Sequence, residues 1–283
     1  MTRLLLIHTG GTIAMAQTPH GLAPVPGLVE SAVTERLPEG VALSVNLFDP
    51  LIDSASIGPQ DWNRMLEQIE AAPDASILIT HGTDTMAYTG AALSQALAGM
   101  NRAVVLCGSM TPLGLGGDAE GNLDLAISHA LKGVPGVWLS FNGQVLPAAG
   151  LVKINSIAAD AFRALPQAPN AAPAHRRFDP ARRLAILHLS PGLPVPALSA
   201  MLYALDGAVL RIYGAGTVHD DPALFAALSA ATHAGKRMRA VSQCTYGGLV
   251  PGAYAAGQKL WACGVENGGL ETPEAALIHL WLN

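Results

Sequence analysis

Charge is scarce in this chain: only 13% of its 283 residues are Asp, Glu, Lys or Arg, and the formal net charge is −5. No basic stripe exists to neutralise a run of phosphates, which excludes nucleic acid as the main partner. The pairs Arg176–Arg177 and Arg182–Arg183 flank an expected linker and read as solvated charge. Cysteine is equally sparse. Cys107, Cys244 and Cys263 are odd in number and far apart, which fits neither a disulfide framework nor a metal knuckle and points to a reducing, cytoplasmic compartment. No apolar run reaches membrane-span length, and Leu4–Ile7 is too short for the core of a secretion signal, so no membrane partner is expected. The nine histidines show no ligand spacing, so no metal or other cofactor is expected either, and His81 reads as a packed residue. Neither a repeat period nor a charged, apolar-poor segment is present.

What the chain has in quantity is apolar residues, at 50%, punctuated by 30 glycines and 20 prolines. Short apolar runs alternate with helical patterns, the signature of an α/β fold. Leu4–His8, Val41–Phe48, Ser76–Thr80, Ala103–Cys107 and Val137–Phe141 are predicted strands. Helices are predicted over Pro59–Ala71, Met86–Ala98 and Asn122–Leu131, and a further strand, which a hairpin could pair, over Leu151–Asn155. A second set follows, with strands at Leu184–Leu189, Ala208–Tyr213 and Met238–Gln243. Its helices are expected near Val195–Leu205, Pro222–Ala234 and Thr272–Leu282. The expected architecture is a larger N-terminal domain (residues 1–165) with a mixed, mostly parallel sheet flanked by helices. An Ala-, Pro- and Arg-rich linker (166–183) leads to a smaller parallel α/β domain (184–283). In such sheets ligands sit beyond the carboxyl ends of the strands.

Two strand ends carry hydroxyl-rich turns. The first reads His8-Thr9-Gly10-Gly11-Thr12-Ile13-Ala14, where adjacent glycines let the backbone turn tightly and present N–H groups beside a threonine hydroxyl. It lacks the spacing of a dinucleotide-binding or P-loop motif, and turn threonines often do no more than bond the backbone. The second reads His81-Gly82-Thr83-Asp84-Thr85-Met86 and opens a helix. Thr and Asp there are ordinary N-cap residues, yet a cap needs one oxygen and three side chains supply them. Two such turns in one crevice would present hydroxyl nucleophiles together with oxyanion donors, as acyl transfer requires.

Thr9–Ala14 and His81–Met86, in that order and about seventy residues apart, strongly resemble the bacterial-type L-asparaginases, closest to the cytoplasmic type I branch. The resemblance extends over nearly the whole chain. Asp53-Ser54 ahead of Pro59-Gln60-Asp61-Trp62 is similar to the family's substrate-binding serine loop, and Gly108-Ser109-Met110-Thr111-Pro112 to its next strand-end turn. Phe141-Asn142 through Lys153-Ile154-Asn155 to Asp160-Ala161-Phe162 resembles the segment carrying its lysine. Arg211–Gly216 and Ser242-Gln243-Cys244 look like its carboxy-terminal domain.

The resemblance implies hydrolysis of L-asparagine to L-aspartate and ammonia, with L-glutamine as the alternative substrate. Thr12 would be the nucleophile, Thr83 the second hydroxyl, Lys153 the base and Asp84 the carboxylate orienting it. Gly11, Ser54, Gly82, Asp84 and Ser109 would line the substrate, with Ser54 and Asp84 on its α-carboxylate and α-ammonium. Ser54 reads equally well as part of an Asx or ST turn over Asp53–Ser56. A lysine base must lose its proton first, from a free value near ~10.4, and arginine could not substitute. A homotetramer built from close dimers is implied as well, with a homodimer as the lesser assembly.

The chain also departs from the family. Where relatives carry a loop tyrosine bonded to the nucleophilic threonine, alignment on Gly21 and Pro24 puts Leu22, which has no proton to exchange. His20, two residues away, is a candidate loop base that titrates near neutrality. Ala55 and Ser56 follow Ser54 where polar and acidic residues are usual, which bears on asparagine against glutamine preference. Val152 stands where a type I relative carries an effector-binding threonine, so allostery of that kind is not expected. Two other readings stay open: an asparaginase-like amidotransferase subunit, for which the added N-terminal domain and basic docking surface are missing, and a non-catalytic amino-acid sensor.

Overall fold

In the computed structural model residues 2–19, 21–168 and 171–283 are described, and the chain divides into two compact units, Met1–Ala164 and Leu165–Asn283. The first unit runs β1 (Thr2–His8), a hairpin of β2 (Met15–Thr18) and β3 (Gly21–Pro24), α1 (Leu28–Arg36), β4 (Val41–Leu47), α2 (Pro59–Ala71), β5 (Ser76–Thr80), α3 (Met86–Ala96), β6 (Ala103–Cys107), α4 (Ala119–Lys132), β7 (Gly136–Phe141) and β8 (Gln144–Pro147). An antiparallel ribbon of β9 (Leu151–Lys153) and β10 (Phe162–Ala164) completes it. Among the described residues six strands form one sheet in the order β4-β1-β5-β6-β7-β8, parallel except for the last pair. Leu4–Ile7 and Ile77–Ile79 are buried on both faces. That is why these strands read as unbroken apolar runs rather than as alternation.

The strand order contains the detail that places the site. From β1 the chain crosses to β4 on one side, then returns past β1 to β5 on the other. The connections therefore diverge at the carboxyl ends of β1 and β5, and a doubly wound sheet opens its crevice at such a switch point. Those two ends are where the hydroxyl-rich turns begin.

Helix starts follow local chemistry. Pro59 opens α2 at a position where its missing N–H costs nothing, and the Gly58 N–H donates to Asp61 Oδ2 at 3.0 Å. At the other end Arg102 donates to the Ile69, Ala72 and Ala75 carbonyls, a cation at the negative end of the helix. The helix predicted from Asn122 begins three residues earlier, at Ala119, and ends at Gly133 in the left-handed region at φ +67°.

The second unit runs β11 (Leu184–His188), α5 (Val195–Ala204), β12 (Gly207–Ile212), α6 (Pro222–His233), β13 (Arg237–Ser242), α7 (Ala255–Ala262), β14 (Glu266–Asn267) and α8 (Pro273–Leu282). Its strands pair in parallel in sequence order. Asp221 and Thr272 cap α6 and α8 by accepting the Ala223 and Ala275 N–H groups, each followed by proline. Lys236 Nζ closes α5 by donating to the Leu202, Tyr203 and Leu205 carbonyls. Among the described residues no helix is long and apolar enough to cross a membrane.

Candidate active site

The two turns are locked to each other through their backbones. Beyond β1, both the N–H and the hydroxyl of Thr9 donate to the Thr80 carbonyl, at 3.1 and 2.8 Å, and the Ile52 N–H donates to the Thr9 carbonyl at 2.7 Å. The His81 N–H donates to the Cys107 carbonyl at 2.9 Å. Gly10 and Gly11 hold φ values of +128° and +93°, where side chains are strained. A Cβ on Gly11 would lie 2.6 Å from Gly82 N and 2.7 Å from Gly82 Cα, and one on Gly10 would lie 2.5 Å from Ile52 O. Gly82 in turn has Ser54 against it, its own Cβ position lying 2.5 Å from Ser54 Oγ. Three segments that are distant in sequence thus stack without room for a methyl group. Glycine recurs in both motifs for this reason.

On that frame the side chains separate into two groups. Thr83 is buried, and its Oγ1 lies 2.9 Å from Lys153 Nζ, which donates also to Asp84 Oδ1 at 2.7 Å. Lys153 ends β9, with its side chain 17% exposed, whereas Asp84 is 68% exposed and reaches inward from solvent. Thr12 opens a single 3₁₀ turn, Thr12–Ala14, and stands part-exposed with no hydroxyl partner among the described residues. Leu22 sits on β3 opposite Gln17 and is 46% exposed, and it offers Thr12 no polar group. His20 lies outside the described residues.

The capping reading of the second turn does not hold. Thr85 is the N-cap of α3, yet it makes no side-chain cap bond; its hydroxyl donates to the Ser54 carbonyl at 2.6 Å instead. Thr83 and Asp84 turn to Lys153. The Asx reading of the serine loop does hold, since Asp53 Oδ1 accepts the Ala55 N–H at 2.9 Å. Ser54 is nevertheless almost fully buried and has no hydroxyl partner among the described residues.

Beneath the second turn runs a directional chain of hydrogen bonds. Trp62 Nε1 can only donate, and it lies 3.0 Å from Thr89 Oγ1. The Thr89 hydroxyl is then free to donate to His81 Nε2, at 2.9 Å, leaving His81 Nδ1–H to donate to the Gly82 carbonyl at 2.6 Å. Burial pushes the His81 pKa down to about 4, so the ring is neutral near pH 7 and orients the peptide that carries the Thr83 N–H.

Ser109 is buried beyond β6, and its hydroxyl donates to the Thr111 carbonyl at 2.6 Å. The turn around it is organised by two residues that the sequence reading did not single out. Asp118 accepts the Met110 and Thr111 N–H groups. Asn122 Nδ2 donates to the Gly108 carbonyl, and its Oδ1 accepts the Asn142 N–H. Their only sequence signal is a shared helical face, four residues apart. Among the described residues no group of three His, Cys, Asp or Glu is placed to hold a metal ion.

A hydroxyl within reach of a lysine, a second hydroxyl close by and a rigid set of backbone donors form the equipment of acyl transfer. Comparison with known proteins agrees. Residues 3–181 match the family described as Asparaginase, N-terminal, and residues 183–283 match the Glutaminase/Asparaginase C-terminal domain. The chain is 32% identical to L-asparaginase of Thermococcus kodakarensis, over 98% of this chain and 91% of that one, and 30% identical to L-asparaginase 1 of Escherichia coli, over 98% and 90%. Its fold matches the solved thermostable L-asparaginase from Thermococcus kodakarensis with a TM-score of 0.87, over 99% of this chain and 92% of that one, at 31% identity. The chain belongs to the asparaginase family, with both its N-terminal and C-terminal domains represented.

Proposed function

We propose that this protein hydrolyses L-asparagine to L-aspartate and ammonia through a threonine acyl-enzyme, with no cofactor. The observation that carries the reading is the Thr83–Lys153–Asp84 set, with the lysine ammonium at 2.9 and 2.7 Å from its two partners. Thr12 attacks the side-chain amide carbon; the tetrahedral oxyanion is held by N–H groups of the Gly11–Thr12 and Gly82–Thr83 segments, and ammonia leaves as the ester forms. Losing one such donor typically costs ~10²–10³ in rate. The Lys153 ammonium passes a proton to the departing ammonia, and the resulting amine takes one from the incoming water through the Thr83 hydroxyl; the hydroxide cleaves the ester, releasing aspartate and returning the remaining proton to Thr12. Asp84 keeps the amine aimed at Thr83. Ser54, Asp84, Gly11 and Gly82 line the substrate, with Ser109 behind them.

We assign the two half-reactions to different turns. Thr83 has the lysine we assign as its base at 2.9 Å, while Thr12 has no hydroxyl partner among the described residues and Leu22 supplies no hydroxyl. Acylation is therefore the slow step, and His20 is the residue we assign to relieve it. An unchanged pH–rate profile in His20→Ala removes that assignment. Ala55 and Ser56 beside Ser54 favour relaxed discrimination between asparagine and glutamine. We place the protein in the cytoplasm as a homotetramer, a reading supported by its three free cysteines and its family membership.

The test is ammonia release from L-asparagine, L-glutamine and D-asparagine by the purified protein. Turnover of L-asparagine supports the reading. Aspartate binding without turnover of any amide assigns the protein to sensing instead.

A further inference from the structure

We infer that Thr85 is a positioning residue that sets the substrate-carboxylate contact of Ser54, and with it the discrimination between amino-acid amides. The inference rests on the role proposed above for Ser54. Three observations carry it. The Thr85 hydroxyl stands at the N-cap of α3 but makes no cap bond, although a threonine there ordinarily accepts from the first turn of its own helix. It donates instead to the Ser54 carbonyl at 2.6 Å, across 31 residues of sequence. Ser54 Oγ, on the far side of the same residue, is pressed against Gly82, leaves no room for a Cβ there, and has no partner among the described residues.

Taken together, these contacts hold Ser54 at two points. Thr85 bonds its carbonyl and Gly82 packs against its side chain, so the position of its hydroxyl is set by the second turn. The same carbonyl also accepts the Ile57 N–H at 3.1 Å, closing the short 3₁₀ turn Ser54–Ser56. That turn is also held from within by the Ala55 N–H on Asp53 Oδ1 at 2.9 Å and the Ser56 N–H on the Asp53 carbonyl at 2.8 Å, among residues that are exposed at Asp53, Ala55 and Ser56. The loop's Ile52 N–H bonds the first turn, at the Thr9 carbonyl; among the described residues its hydrogen bond to the second turn is the one from Thr85. Thr85 is thus the hydrogen bond that couples the substrate-holding loop to the segment bearing Thr83 and Asp84.

The experiment compares Thr85→Val, which keeps the shape and removes the donor, with Thr85→Ser, which keeps the donor; Thr85→Ala serves where the extra methyl is not accommodated. Thr85→Val is expected to raise KM for L-asparagine about three- to tenfold, the worth of one ordinary hydrogen bond. It should change kcat by less than about twofold and narrow the preference between L-asparagine and L-glutamine, with Thr85→Ser restoring both. In a Ser54→Ala background Thr85→Val should add almost nothing, because the two act as one unit. Additive effects, a loss confined to kcat, or failure of Thr85→Ser to restore KM would each overturn the inference. Should no amide be hydrolysed by the unmodified protein, the amidase reading falls. The same comparison, made then on L-aspartate affinity by calorimetry, still decides the role of Thr85: three- to tenfold weaker binding supports it, and unchanged or absent binding overturns it.

Discussion

The two turns look alike in sequence and differ in what the fold has done with them. Each follows a buried histidine at the end of a parallel strand, and each carries glycine beside threonine. In the second, Thr83 is buried and bonded to Lys153, and the neighbouring histidine orients the peptide beneath it. In the first, His8 bonds sideways to Thr80 Oγ1 at 2.6 Å, and Thr12 is part-exposed beside a leucine-bearing hairpin. One turn has its side chains bonded to Lys153, while the other leaves its hydroxyl without a partner among the described residues. Two hydroxyls of equal intrinsic reactivity thereby stand in different surroundings, and the proposed division of labour rests on that difference.

The largest effect that can break this contrast is removal of the lysine. Lys153→Met should lower kcat by about 10²–10⁴, the usual contribution of a positioned base, with KM for L-asparagine changed far less; steady-state ammonia assays check it. Next is the acid limb of stability. His81 is held neutral, with its pKa pushed down to about 4 by burial, below its unfolded value near ~6.5. Between those values the unfolded chain binds the proton and the folded chain does not. Stability is therefore full above about pH 6.5 and falls as pH drops toward 4, by about 3 kcal/mol. His8 shifts in the same direction, opposed by Glu30. Denaturant unfolding at a series of pH values should show that limb flattened in His81→Gln.

Gly11→Ala should destabilise the protein by about 1–3 kcal/mol through its strained φ, beyond the clash with Gly82 at 2.6 Å, and thermal unfolding measures it. The smallest effect sharpens the contrast most. Leu22→Tyr supplies a hydroxyl on the hairpin that follows Thr12 and should raise kcat about tenfold by speeding acylation, while the equivalent change at Ala23, the next residue along β3 and so on the opposite face of the hairpin, should not.

Much of this was readable from the chain. The buried apolar runs and the Pro-led helix starts are local signals, and Pro59–Ala71 and Ser76–Thr80 emerge with their predicted bounds. The paired motifs marked both turns because glycine is required where backbones touch, and that requirement leaves a trace in sequence. Four features left no such trace. The hairpin Met15–Thr18 and Gly21–Pro24 lacks clean alternation, and α1 is anchored by Leu28, Val29, Ala32 and Val33 in a short, otherwise polar stretch. Asp118 and Asn122 act on backbone groups of other segments. Thr85 resembled a cap because its local position is that of one, and only the approach of Ser54 from 31 residues away reveals its use.

Rapid-quench measurement of ammonia formation from L-asparagine, followed from the first turnover, tests the central claim most directly. A protein whose second hydroxyl is ready and whose first is not should release ammonia linearly from time zero, without a burst, and yield equal amounts of aspartate. A burst equal to the enzyme concentration, or no ammonia at all, would contradict that account.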